Sequence, residues 1–132
     1  MKRLIAKIEI QGLPKTPNQI GYSHWGIRLK NARLWKRLVI EQCVLLRISN
    51  KFLKKCELIL TRHSSHEMDF DNLAASFKHV IDGLRAANVI VDDTVAVIGR
   101  PSFAWMSAPK GQGKITIEIF ESNFSQDKTG IV

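Results

Sequence analysis

Five of the chain's six aspartates lie within one stretch, M-D-F-D-N-L-A-A-S-F-K-H-V-I-D-G-L-R-A-A-N-V-I-V-D-D, from Met68 to Asp93. They are Asp69, Asp71, Asp82, Asp92 and Asp93, with Lys78 among them, in a protein of formal net charge +8. Carboxylates converging from a helix start and a strand start repel one another unless a cation lies between them. Magnesium prefers oxygen ligands, keeps several waters and needs only a few carboxylates. A metal so held can orient and deprotonate a water and offset charge on phosphoryl oxygens. A lysine beside it stabilises the transition state or the departing oxyanion. The chemistry these residue types suit is hydrolysis of a phosphodiester.

Each piece alone has a plainer explanation. Asp69 or Asp71 could cap a helix and complement its dipole. Lys78 and Asp82, four apart, could form a surface ion pair worth on the order of a few tenths of a kcal/mol. Asp92 and Asp93 could belong to a turn. The combination argues otherwise, since a cap needs no second carboxylate two positions away. His63 and His66 form H-x-x-H, but two loop histidines fall short of the four ligands of structural zinc. Contact with phosphate or water near the acidic cluster is the other reading of that pair.

The elements that must position these groups follow from periodicity. At 100° per residue, a helix from about Asn72 to Ala87 gathers Leu73, Phe77, Val80, Ile81 and Leu84 into a buried stripe and sets Asp71, Lys78 and Asp82 on the opposite arc. Residues 2–11 alternate as a strand, and Gly12, Pro14, Pro17, Asn18 and Gly21 mark a turn-rich loop. That loop carries Lys15, Asn18, Tyr22, His24 and Trp25, suited to backbone contacts and base stacking. Its bland alternative is an ordered connector with a buried Trp25. A second helix is expected over about Ile27 to Ser49, with Lys30, Arg33 and Arg37 on one face, Lys36 beside them, and Val44, Leu45 and Leu46 buried. Further strands are expected at residues 56–62, at about Val95 to Ile98 with room to extend past Pro101, and at Lys114 to Glu121. The order is β-α-β-α-β-β: a single α/β (α+β) domain over residues 1–121, with a mixed four-stranded sheet, two helices packed on it, and a loose tail over 122–132.

The chain has 132 residues, which fits one domain with its own core. No apolar run approaches the roughly 18 residues of a membrane span. The N-terminus alternates charged and aliphatic residues, unlike a signal peptide. A cytoplasmic protein is expected. Cys43 and Cys56 lack C-x-x-C spacing and read as small buried hydrophobes. The sequence pI is about 9.8, and between Arg28 and Lys55 nine basic residues face one acid, Glu41. A polyanionic partner is implied, most commonly nucleic acid. Candidate contacts are Lys15, Asn18, Tyr22, Lys30, Arg33, Lys36 and Arg37.

D-F-D-N-L at 69–73, Lys78 four before Asp82, and V-I-V-D-D at 89–93 together resemble the signature of the RusA family of Holliday junction resolvases. The segment with Pro14, Pro17, Asn18 and Tyr22, and the β-α-β-α-β-β order, resemble that family too. The resemblance implies a magnesium-dependent endonuclease, with manganese a substitute, encoded by a bacterium, phage or prophage. It further implies a homodimer that resolves four-way DNA junctions by paired symmetric nicks. Asp69, Asp71 and Asp93 match the family's catalytic, metal-binding carboxylates and Lys78 its lysine, with Asp82 and Asp92 in second rank. The chain departs in one spacing: the lysine follows Asp71 by seven residues, whereas the best-known members have it at four, where Ala75 stands. Two other functions stay open at this point: a broader nuclease for flaps and branched DNA in phage DNA processing, and a non-catalytic junction-binding protein.

Overall fold

Alternation decides the sheet. In the computed structural model, which describes residues 2–17 and 25–122, β1 (Leu4–Gln11), β2 (Cys56–Ser64), β3 (Ser102–Ser107) and β4 (Lys114–Glu121) form one sheet in the order β1-β4-β2-β3. β4 runs antiparallel to both β1 and β2, and β3 runs parallel to β2. One face carries Ile8, Ile10, Cys56, Leu58, Leu60, Ile115, Ile117 and Ile119, all buried. Period-2 side chains put these residues on one side and Lys7, Glu9 and Glu118 on the other. The helices cover the aliphatic side, making a single small α+β domain with a mixed four-stranded sheet. No helix among the described residues is long and apolar enough to cross a membrane.

Helix α1 (Trp25–Leu45) buries Asn31, Trp35, Val39 and Cys43, a stripe of four-residue steps. This corrects the expectation for its second half: Val44, Leu45 and Leu46 are exposed, at 58%, 72% and 45%. Val44 lies about 100° round the helix from the buried Cys43, so the stripe that meets the core excludes it. The chain also leaves the helix here, through Arg47 at φ 59°. Trp25 is exposed as well, at 64%, so it is not the buried anchor of a connector. Both cysteines are buried free thiols, pushed up to about 11 by burial.

The acidic stretch forms two helices rather than one, α2 (Phe70–Ser76) and α3 (Lys78–Ala86). The break has a local cause. Ser76 Oγ donates to the Leu73 carbonyl at 2.7 Å, and Phe77 N bonds Ala74 O at 3.1 Å, a tighter turn than the α-helical step. Phe77, fully buried at the junction, stacks at 5.9 Å on Phe103 of β3. The buried stripe is as expected for Leu73, Phe77, Val80 and Leu84, with Ile81 partly buried against it.

α3 packs on α1 at Gly83, where a Cβ would come within 2.7 Å of Val39 Cβ and 3.2 Å of the Lys36 carbonyl. Only glycine permits that approach.

The strand expected at Val95 to Ile98 is instead a helical turn, α4 (Val95–Ile98). Val97 N and Ile98 N both donate to the Thr94 carbonyl, which closes the turn. Gly99, at φ 61°, ends it, and Pro101 favours extended backbone before it, so the strand begins at Ser102. The element order is therefore β-α-β-α-α-α-β-β.

Candidate active site

β2 delivers the chain to the acidic stretch. Its last core-facing residue, Ser64, accepts a hydrogen bond from Trp105 Nε1 and donates to the His66 carbonyl, both at 2.9 Å, clamping the turn before Asp69. Asp69 then caps α2: its carboxylate accepts from Asn72 Nδ2 at 2.7 Å and from Asn72 N at 3.3 Å. These bonds, the side-chain one first, hold the Asp69 carboxyl below its ordinary 3.8. A group with a lowered folded value contributes its stabilisation above its ordinary pKa and loses it as pH falls through the folded one. An acid titration followed by the Asn72 amide shift should therefore give a midpoint below 3.8; a midpoint at or above it would contradict the cap.

Phe70 stands between Asp69 and Asp71 and meets the ring of Phe103 edge-on at 6.1 Å. Phe103 in turn lines a groove of about 260 Å³ together with Lys78, Asp82, Asp93, Val95 and Pro101. Three of the sequence candidates thus share one groove, and the D-x-D pair reaches its wall through one aromatic contact. Asp69 and Asp71 do not line the groove themselves. The arc that joined Asp71 to Lys78 in sequence presumed an unbroken helix, and the turn at Phe77 interrupts it.

Asp82 Oδ2 lies 3.5 Å from Lys78 Nζ, which shares the groove, and 3.4 Å from His79 Nδ1, which does not line it. Asp92 is engaged elsewhere: its Oδ1 is 3.3 Å from Arg85 Nε and accepts from Asp93 N at 2.8 Å. That bond holds the backbone at Asp93, which itself lines the groove. The carboxylates of Asp71 and Asp93 make no ion pair or hydrogen bond among the described residues. Among the same residues, no three His, Cys, Asp or Glu side chains come together as a metal-binding group.

Lys78 also lines a second cavity of about 290 Å³ with Lys15, Pro17, Arg28, Asn31, Ala75 and His79. The one lysine therefore stands between a cation-lined cavity and a groove holding two carboxylates. Lys30, Arg33, Lys36 and Arg37 are exposed along α1, with Arg37 Nε 3.9 Å from Glu41. Asn18, Tyr22 and His24 lie outside the described residues, as do residues 123–132 of the expected tail.

The H-x-x-H pair does not join the acidic groove. His63 lines a cavity of about 460 Å³ with Gln11, Gln112 and Lys114, and sits 3.4 Å from Thr116 Oγ1. Burial first, and then Lys114, lower its pKa and favour the neutral ring.

Arg28, Asn31, His79 and Arg62 escaped the sequence reading. Arg62 left a signal: Cys56, Leu58, Leu60 and Arg62 occupy alternate positions, so a charge stood on the core-facing side of a strand. The other three had none. No model of a known protein family matches the chain, and no curated protein matches it.

Proposed function

We propose that this chain is a metal-dependent endonuclease of the RusA type, which resolves four-way DNA junctions by paired nicks as a homodimer. The observation that carries the reading is the position of Lys78, shared between the groove of Asp82 and Asp93 and the cation-lined cavity beside it. A phosphodiester enzyme needs cations to hold its polyanionic substrate and carboxylates next to them, and here one side chain belongs to both sets.

The donor type suits a hard divalent cation, although the described residues bring no three such side chains together in one group. All the donors are carboxylate oxygens, and those of Asp71 and Asp93 are not committed to ion pairs among the described residues. In this reading Asp69, Asp71 and Asp93 would be the magnesium ligands, with Asp69 also engaged by Asn72 and only Asp93 of the three lining the groove. Bound there, the metal would supply a nucleophilic water at neutral pH and neutralise charge on the phosphoryl group. The protein's own contribution is positional. Phe70 on Phe103 fixes the D-x-D segment against the groove wall, and Arg85 with Asp92 fixes the backbone at Asp93. Lys78, paired with Asp82, offers a positive charge to the non-bridging or departing oxygen of the cleaved phosphate.

DNA binding rests on the exposed Lys30, Arg33, Lys36 and Arg37, which favour an electrostatic, salt-sensitive association. A two-fold dimer matches the symmetry of an open junction. The exposed apolar side chains of Val44, Leu45, Leu46 and Phe52 are the kind of surface that a subunit contact covers.

The substrate class is tested by competition among a four-way junction, a flap and a linear duplex. Preferential binding of the junction by two subunits supports the resolvase. Equal competition by the flap would make the protein a broader branched-DNA nuclease.

A further inference from the structure

The strap after β1 is tied down at three successive points. Gly12 N donates to the Gly113 carbonyl at 2.9 Å, Arg62 Nη1 to the Pro14 carbonyl at 2.6 Å, and Lys15 N to Asn31 Oδ1 at 3.3 Å. Pro14 and Thr16 are buried and Lys15 is exposed between them, so the extended strap turns this lysine outward. Arg62 is an unusual anchor. It is 2% exposed, no carboxylate pairs with it, and its Nε has no partner among the described residues. A buried cation with one carbonyl partner among the described residues is costly. What it secures is the backbone immediately before Lys15.

Lys15 thereby lines the cavity of about 290 Å³ opposite Arg28 of α1 and Lys78 of α3. Three cations surround this space, and no carboxylate lines it among the described residues. Arg28 and the Lys15 side chain form no ion pair among those residues. Asn31, 8% exposed, adds an amide, and His79 an imidazole on the Lys78 side. Like charges converging on one cavity favour an anion there, and Arg and Lys are the side chains suited to a phosphate.

We propose that this cavity seats one backbone phosphate of the DNA strand, held by Lys15, Arg28 and Lys78, with Arg62 as the residue that positions Lys15. The seat rests on the reading of the chain as a DNA-binding enzyme and deepens it. Because Lys78 also lines the Asp82–Asp93 groove, a phosphate in the seat fixes where the neighbouring phosphodiester meets the carboxylates.

The test measures binding of a fluorescent four-way junction in EDTA over a range of salt, so that cleavage plays no part. Lys15→Ala and Arg28→Ala should each reduce the slope of log K against log salt by about 0.9, one phosphate contact apiece. Arg62→Met should reduce it similarly, and adding Lys15→Ala to Arg62→Met should reduce it no further. A merely structural Arg62 would lower the unfolding midpoint and leave the slope alone. Unchanged slopes in folded Lys15→Ala and Arg28→Ala, with wild type binding the junction, overturn the seat and leave the nuclease reading standing. A wild type that binds no DNA overturns both. Inorganic phosphate alone, followed by the Lys15 and Asn31 amide shifts, separates the sources. Saturable shifts with unaltered junction slopes in the variants would make the cavity a free-anion pocket and contradict the backbone assignment.

Discussion

Asp93→Asn is expected to lower junction cleavage in magnesium by at least about 100-fold while leaving junction binding in EDTA intact. Two features of the groove lead there. Asp93 lines it beside Lys78, and its carboxylate is free of partners among the described residues. Its neighbour Asp92 is occupied by Arg85 and by the Asp93 amide. Asparagine keeps the size and removes the charge, so binding should respond little and chemistry strongly. Asp92→Asn serves as the contrast: it weakens the Arg85 pair and should affect cleavage far less. Equal losses in both variants would mean that the pair acts by shaping the backbone, not by presenting one carboxylate. Cleavage unaffected by Asp93→Asn would remove that residue from the site.

Phe77→Ala should cost about 3–5 kcal/mol of folding stability, the usual range for a large aromatic truncated in a core. Phe77 is fully buried, ends α2, begins α3 and stacks on Phe103. Its loss opens a cavity where three elements meet. Against a typical total of roughly 5–15 kcal/mol, this is enough to leave the domain marginal. Urea unfolding measures it directly, and a loss below about 1 kcal/mol would show that the helix junction repacks freely. The same ring joins the segment carrying Asp69 and Asp71 to the helix carrying Lys78. Folded Phe77→Leu should therefore bind DNA normally and cleave it more slowly, which a rate measured at saturating enzyme would reveal.

The sheet was legible wherever β-branched and aliphatic residues alternated with polar ones, as in β1, β2 and β4. β3 was not. S-F-A-W-M-S shows no polar alternation, because the strand lies at the sheet edge and its exposed positions include Met106. Val95–Ile98 looked like a strand from its composition, yet the turn closed by the Thr94 carbonyl and ended by Gly99 overrode that propensity. The break at Phe77 escaped because helical periodicity continues across it for the buried stripe. The tighter turn shows only in the Phe77 N bond to the Ala74 carbonyl, beside the Ser76 hydroxyl bond to the Leu73 carbonyl. This matters for the site, since the projected arc of Asp71 with Lys78 and Asp82 rested on helical continuity. The partners of Lys78 across the fold, Lys15 and Arg28 from one side and Asp93 from the other, come from three separate segments. No spacing along the chain encodes that meeting.

The most direct measurement is single-turnover incubation of the folded chain with a four-way junction labelled on opposed strands, in magnesium and in EDTA. Paired nicks in opposed strands that appear with magnesium and vanish with EDTA are the predicted result. A junction that is bound yet stays intact in magnesium and in manganese, across several junction sequences, would contradict the account and leave a protein that binds branched DNA without cutting it.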